Sequence, residues 1–164
     1  MDTTKESSLL IKKLAQNIEK WKKSNDISQR ELGKRSNIGE STLRSIKGGS
    51  QNIEIATLVK LKLAFSVNVS DLLRGNEKYP KILPHPISLV TVRKTVTSEQ
   101  VKIGKSISKV MKEKNINPED LSIMASNTDY SDTVKYLKGQ INLTLITILK
   151  FANALEVEIE ELLE

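Results

Sequence analysis

Apolar residues recur every three or four positions at Leu10, Leu14, Ile18 and Trp21, and this spacing predicts an amphipathic helix beginning near residue 8. Ser7 or Ser8 is its expected cap, and Met1 to Glu6 its frayed polar tail. Lys12, Lys13, Lys20, Lys22 and Lys23 fill the other positions and read as a solvated face; Trp21, the only tryptophan, reads as core. A turn at Ser24-Asn25-Asp26 leads to two short helices between Ser28 and Gly49. Ser28 with Glu31 predicts a capping box, Gly33 a close helix approach, and Asn37-Ile38-Gly39 a left-handed break. The second short helix turns Leu43 and Ile46 inward and stops at Gly48-Gly49. After the polar loop Ser50-Gln51-Asn52, Ile55, Leu58, Leu61 and Ala64 predict a helix over about 54–65. Val67 and Val69 seal the base, Ser70 to Leu73 makes a last helical turn, and Arg74-Gly75-Asn76 ends the unit.

Residues 76–97 break this pattern with Pro80, Pro84 and Pro86, followed by the β-branched run Ile87–Val96. Two readings stay open: a short strand over 87–96 paired with the same segment of a second chain, or an extended linker packed along the domains. His85, between two prolines, reads as incidental. From Thr97, which with Gln100 suggests another capping box, the first pattern returns. Lys13 and Lys102, Ile18 and Ile107, Ile27 and Ile116, and Leu32 and Leu121 stand 89 apart. Gly49 and Gly139, Leu58 and Ile148, Ala64 and Ala154, and Leu72-Leu73 and Leu162-Leu163 stand 90 apart, so the chain reads as an internal repeat. The second copy departs from the first at its centre. Asn117-Pro118-Glu119-Asp120 opens its second helix, Leu121 to Val134 is two residues longer than Leu32 to Leu43, so the turn through Ser126–Asp129 is distorted or extended, Asp129 and Asp132 would face a phosphate backbone unfavourably, and its last helix is acidic.

The absence of cysteine excludes disulfides and thiolate chemistry, and no apolar run reaches the roughly 18 residues of a membrane span. A soluble cytoplasmic protein is expected, without cofactor or metal. Net charge is +6, and it is unevenly placed: residues 1–80 carry fifteen Lys and Arg against nine Asp and Glu, residues 81–164 eleven against eleven. A basic half beside a neutral one fits phosphate contact by the first half only.

The stretch Ser28–Gly49 has the marks of a helix-turn-helix: a small residue facing the partner helix, a left-handed turn and a short second helix with a polar outer face. Together with Leu58–Leu73 it resembles the Xre or lambda-repressor-like (Cro-type) helix-turn-helix family, over about 65 residues and five helices. The resemblance implies an all-α fold of two lambda-repressor-like five-helix domains, residues 8–75 and 98–164, joined by the linker. It also implies a sequence-specific DNA-binding transcriptional regulator, more often a repressor, that binds double-stranded DNA with the helix at 40–47 in the major groove. Glu40, Ser41, Arg44 and Ser45 would meet bases; Gln29, Lys47 and Asn52 would hold phosphates. The structural alternative for Glu40 and Arg44 is an exposed i, i+4 ion pair. No catalytic residues are expected: one badly placed histidine, no paired acids in a catalytic context and no phosphate-cradling glycine loop argue against an enzyme. The rival reading is an antitoxin or adaptor whose second domain binds a protein partner. With one reading head per chain, a homodimer held by the linker and second domain is expected.

Overall fold

Asp2 starts the first helix. In the computed structural model, which describes residues 2–50, 52–75 and 78–164, its carboxylate accepts from the Thr4 amide at 3.1 Å and α1 runs Thr3–Ser24. The polar tail is therefore helical from Thr3, because an acid at the N-cap satisfies an orphan amide and complements the positive helix end. Ser7 is no cap; it is buried in the helix and donates to the Thr4 carbonyl. Met1 of the expected tail, Gln51 of the expected loop, and Asn76 and Glu77 at the start of the linker lie outside the described residues.

Of the expected stripe on α1, Leu14, Ile18 and Trp21 are buried, with the Trp21 ring edge-on to Phe65 at 5.2 Å, but Ile11 takes the buried place at its start and Leu10 is half-buried. Around it lie α2 (Gln29–Ser36), α3 (Glu40–Lys47), α4 (Ile55–Phe65) and α5 (Val69–Arg74). Buried Asn17 donates to the Leu72 and Leu73 carbonyls, so α1 satisfies backbone acceptors that the end of α5 leaves free.

Residues 78–88 form a strap along these five helices rather than a strand. The Asn25 side chain donates to the Pro80 carbonyl and accepts from the Ile82 amide, both at 2.9 Å. The Leu83 amide donates to Ala64, the Ile87 amide to Arg35, and the Arg35 guanidinium to Leu83. The strand suggested over 87–96 is instead the start of α6 (Leu89–Glu113). Ser88 caps it, Val92 is buried, and α6 lies on α4. A β-branched run carries only a weak preference, which a cap and a packing surface override. Thr97, expected to begin this helix, sits inside it and donates to the Arg93 carbonyl.

Then follow α7 (Pro118–Met124), α8 (Tyr130–Leu137), α9 (Leu145–Leu155) and α10 (Ile159–Leu162). No helix among the described residues is long and apolar enough to cross a membrane. Left-handed backbone recurs at matching places: Asp26 and Asn115, Gly49 and Gly139, Ser66 and Glu156 all have φ between 51° and 68°. One expected correspondence changes. Thr133, not Val134, is the fully buried counterpart of Leu43, so this stretch is one residue longer than in the first half, not two. Two consecutive left-handed residues, Ser126 and Asn127, absorb the extra length.

The two sets of five helices pack on each other, α4 on α6, α1 on α9 and α5 on α10. Between them the loops before α4 and α9 meet as one antiparallel bridge at Glu54 and Thr144. The Ile55 amide donates to Leu143 at 2.9 Å and the Leu145 amide to Ile53 at 2.8 Å. The linker and part of the second set, expected to hold another chain, are thus packed against the first five helices of the same chain.

Candidate nucleic-acid interface

The turn between α2 and α3 is fixed by backbone. Ser28 caps α2, accepting from the Glu31 amide at 3.1 Å, while the Glu31 carboxylate turns forward to Arg35 at 2.7 Å. Only half of the expected capping box forms, because a guanidinium one turn on offers a charged partner in place of a backbone amide. That Arg35 hydrogen bond holds the Glu31 pKa below the usual carboxylate value. Asn37 takes the left-handed conformation (φ 56°, ψ 38°), and the Ile38 amide closes the turn onto the Gly33 carbonyl at 3.0 Å. A Cβ on Gly33 would stand 2.8 Å from the Ile38 carbonyl oxygen. Gly33→Ala should therefore destabilise the protein by about 1 kcal/mol or more as the turn shifts away, read as a lower urea midpoint at unchanged slope.

Leu43 and Ile46 anchor α3, and Glu40, Ser41, Arg44 and Lys47 are exposed. Ser45 is half-buried and donates to the Ser41 carbonyl at 3.0 Å, which leaves its oxygen free to accept. The i, i+4 pair does not form: no ion pair among the described residues engages Glu40, Arg44 or Lys47. Gln29, at the start of α2, shares a shallow crevice between α1, α2 and α3 with Glu19, Lys22 and Lys47. Glu19 binds Lys22 at 2.9 Å. That hydrogen bond, with the charges of Lys22, Lys47 and Lys23, lowers the Glu19 pKa against the opposing effect of burial. Asn52 is the exception among the expected site residues. It is exposed, but its side-chain oxygen accepts from the Ile146 amide in the first turn of α9, at 3.4 Å.

The matching helix of the second half, α8, presents residues that sequence reasoning passed over. Tyr130, Ser131, Lys135 and Lys138 are exposed, while Thr133 is buried and Tyr136 stacks edge-on against Phe151 at 5.8 Å. The two acids that seemed hostile to phosphate are engaged locally. Asp129 caps α8, accepting from the Asp132 amide, and Asp132 pairs with Lys135 at 3.7 Å. The register that reveals this face is set by Gly49 and Gly139, which end α3 and α8 in the same left-handed conformation.

Residues 106–164, from the second part of α6 to the end of the chain, match the Cro/C1-type HTH DNA-binding domain family. Among solved structures the chain is similar to the restriction-modification controller protein C.AhdI from Aeromonas hydrophila. The two are 32% identical over a match covering 40% of this chain and 97% of that one, with a TM-score of 0.38. No curated protein matches the chain.

Proposed function

We propose, from the match of residues 106–164 to the Cro/C1-type HTH DNA-binding domain family, that the chain is a sequence-specific DNA-binding transcriptional regulator acting as a repressor. Helices α1–α5 are in this reading a second copy of the same domain, supported by the matching helix order and left-handed positions. The observation that carries the reading is α3: a short helix locked from behind by Leu43 and Ile46, with Arg44 exposed and paired with no carboxylate among the described residues.

In the major groove Arg44 donates to guanine O6 and N7, Glu40 accepts from cytosine N4, and Ser41 and Ser45 supply shorter contacts. Lys47 and Gln29 take phosphates beside them, fixing register without reading sequence. Asn52 contributes through its amide group, since its oxygen is turned toward α9. A bound operator then excludes other proteins from the same duplex.

The test is a mobility shift of the full chain across a salt series with a randomised duplex library. Affinity should fall linearly on a log–log plot of binding against salt, and Lys47→Ala should lower the slope by about one while weakening all sequences alike. Salt-insensitive or undetectable binding would end the proposal. Glu19 adds a further expected result. Its carboxylate offsets the lysines of the crevice, so Glu19→Gln should strengthen binding to every duplex by roughly two- to fivefold, as expected for a partly exposed charge. Unchanged affinity in the same assay would mean that no phosphate passes close to the crevice that Glu19 shares with Lys47 and Gln29.

A further inference from the structure

We infer that this chain is a dimer built into one polypeptide: an approximate twofold axis relates α1–α5 to α6–α10, and the two unlike helix-turn-helix units together take one non-palindromic duplex site of two inverted half-sites. The inference rests on the DNA-binding reading above and extends it to the class of site.

A twofold axis has a signature in a contact list: residue i meets j while the equivalent of j meets the equivalent of i, and residues on the axis meet their own counterparts. Both signs are present. Ile55 donates to Leu143 and Leu145 donates to Ile53, which is the same bond made twice under a shift of 90 residues. Glu54 bridges Thr144, and Arg74 pairs with Glu164; each pair joins positions 90 apart, as residues on an axis must. The packing of α4 on α6 and of α1 on α9 is likewise one contact seen from both sides.

The axis pairs discriminate between like and unlike partners. Two first halves would set Arg74 against Arg74, and two second halves Glu164 against Glu164; only the mixed pair brings opposite charges together. Lys62 with Glu99 adds to this, because their counterparts are Ala152 and Leu10, which form no such pair. The surface a second chain would need for a symmetric partnership of this kind is already filled.

The consequence for recognition follows from position. Lys47, ending α3, and Leu137, ending α8, each precede the shared bridge by seven residues, so the axis places both helices at the same height, as in a repressor dimer on two half-sites. Their chemistry differs. Where α3 presents Glu40, Arg44 and Ser45, α8 presents Tyr130, Val134 and Lys135. Arg44 suits guanine, whereas Val134 offers only an apolar contact of the kind a thymine methyl accepts.

The test combines mass and sequence on the full chain. Sedimentation at micromolar concentration should give one chain, 18.4 kDa, alone and one chain per duplex when bound. Selection from a randomised duplex library should return two unlike boxes in inverted orientation. Arg44→Ala should erase preference in one box and Lys135→Ala in the other, each with roughly tenfold weaker binding to the selected site. A palindromic consensus held by two chains, with Arg44→Ala altering both boxes, would overturn this inference and leave the DNA-binding reading standing. A library that yields no consensus would remove both.

Discussion

Lys62→Ala should lower the free energy of unfolding by about 3 kcal/mol, the largest loss expected from truncating any one charged side chain here. Lys62 on α4 reaches across to Glu99 on α6, whose side chain is 5% exposed and whose second carboxylate oxygen has no hydrogen-bond partner among the described residues. Without the ammonium, a carboxylate would stay buried between the two halves with nothing to offset its lost hydration. Removing one member of a buried pair typically costs about 3–5 kcal/mol; the lower end applies because Lys62 is 22% exposed and water reaches that side. The informative control is the double variant Lys62→Met with Glu99→Leu, which replaces both charges with apolar groups and should be near neutral or more stable than the parent. Urea unfolding of the parent, Lys62→Met, Glu99→Leu and the double variant gives the coupling directly. A single-variant loss below about 1 kcal/mol would mean that the pair is effectively solvated.

Arg44→Ala carries the second large effect, a loss of about 1–3 kcal/mol in specific binding with relaxed choice at one base pair. The side chain is exposed on α3, one turn from Glu40 but not paired with it, so alanine removes no intramolecular partner and stability should hardly change. Competition between the selected site and single-base variants of it would read the effect. If the parent and Arg44→Ala rank those variants identically at equal affinity, another residue reads the base.

Helices α2 and α3 were legible because both carry their own punctuation. Ser28, Asn37 and Gly48 begin or end helices through local chemistry, and Leu43 and Ile46 declare a buried face by spacing alone. The start of α6 was not legible in the same way. Its β-branched residues favour a strand in isolation, and the deciding facts, the Ser88 cap and the surface of α4, are a local bond and a contact distant in sequence. Glu31 shows the limit of a short motif: the capping-box spacing was present, but Arg35 at i+4 competed for the carboxylate and won. The local roles of Asp129 and Asp132 on α8 were not legible either: one is a cap and the other has a lysine beside it. The one-residue change of register behind Thr133 depends on two successive left-handed residues, Ser126 and Asn127, a backbone state that composition does not announce. The seam between the halves was invisible for a simpler reason: Ile53 and Leu143, or Lys62 and Glu99, meet only after both halves have folded.

On the one-chain repressor reading proposed above, the strap at residues 78–88, pinned through Asn25, Ala64 and Arg35, changes how the molecule responds to its own abundance. A repressor that assembles from separate chains is diluted apart, and its occupancy of an operator rises steeply once the subunits find each other. Here the second half is held beside the first at an effective concentration on the order of millimolar, whatever the number of molecules in the cell. Occupancy of a single operator should then follow a simple hyperbola with a Hill coefficient of about one, down to the lowest expression levels. Such a regulator acts as a graded dial, and any threshold in the circuit it controls has to come from the arrangement of operators on the DNA.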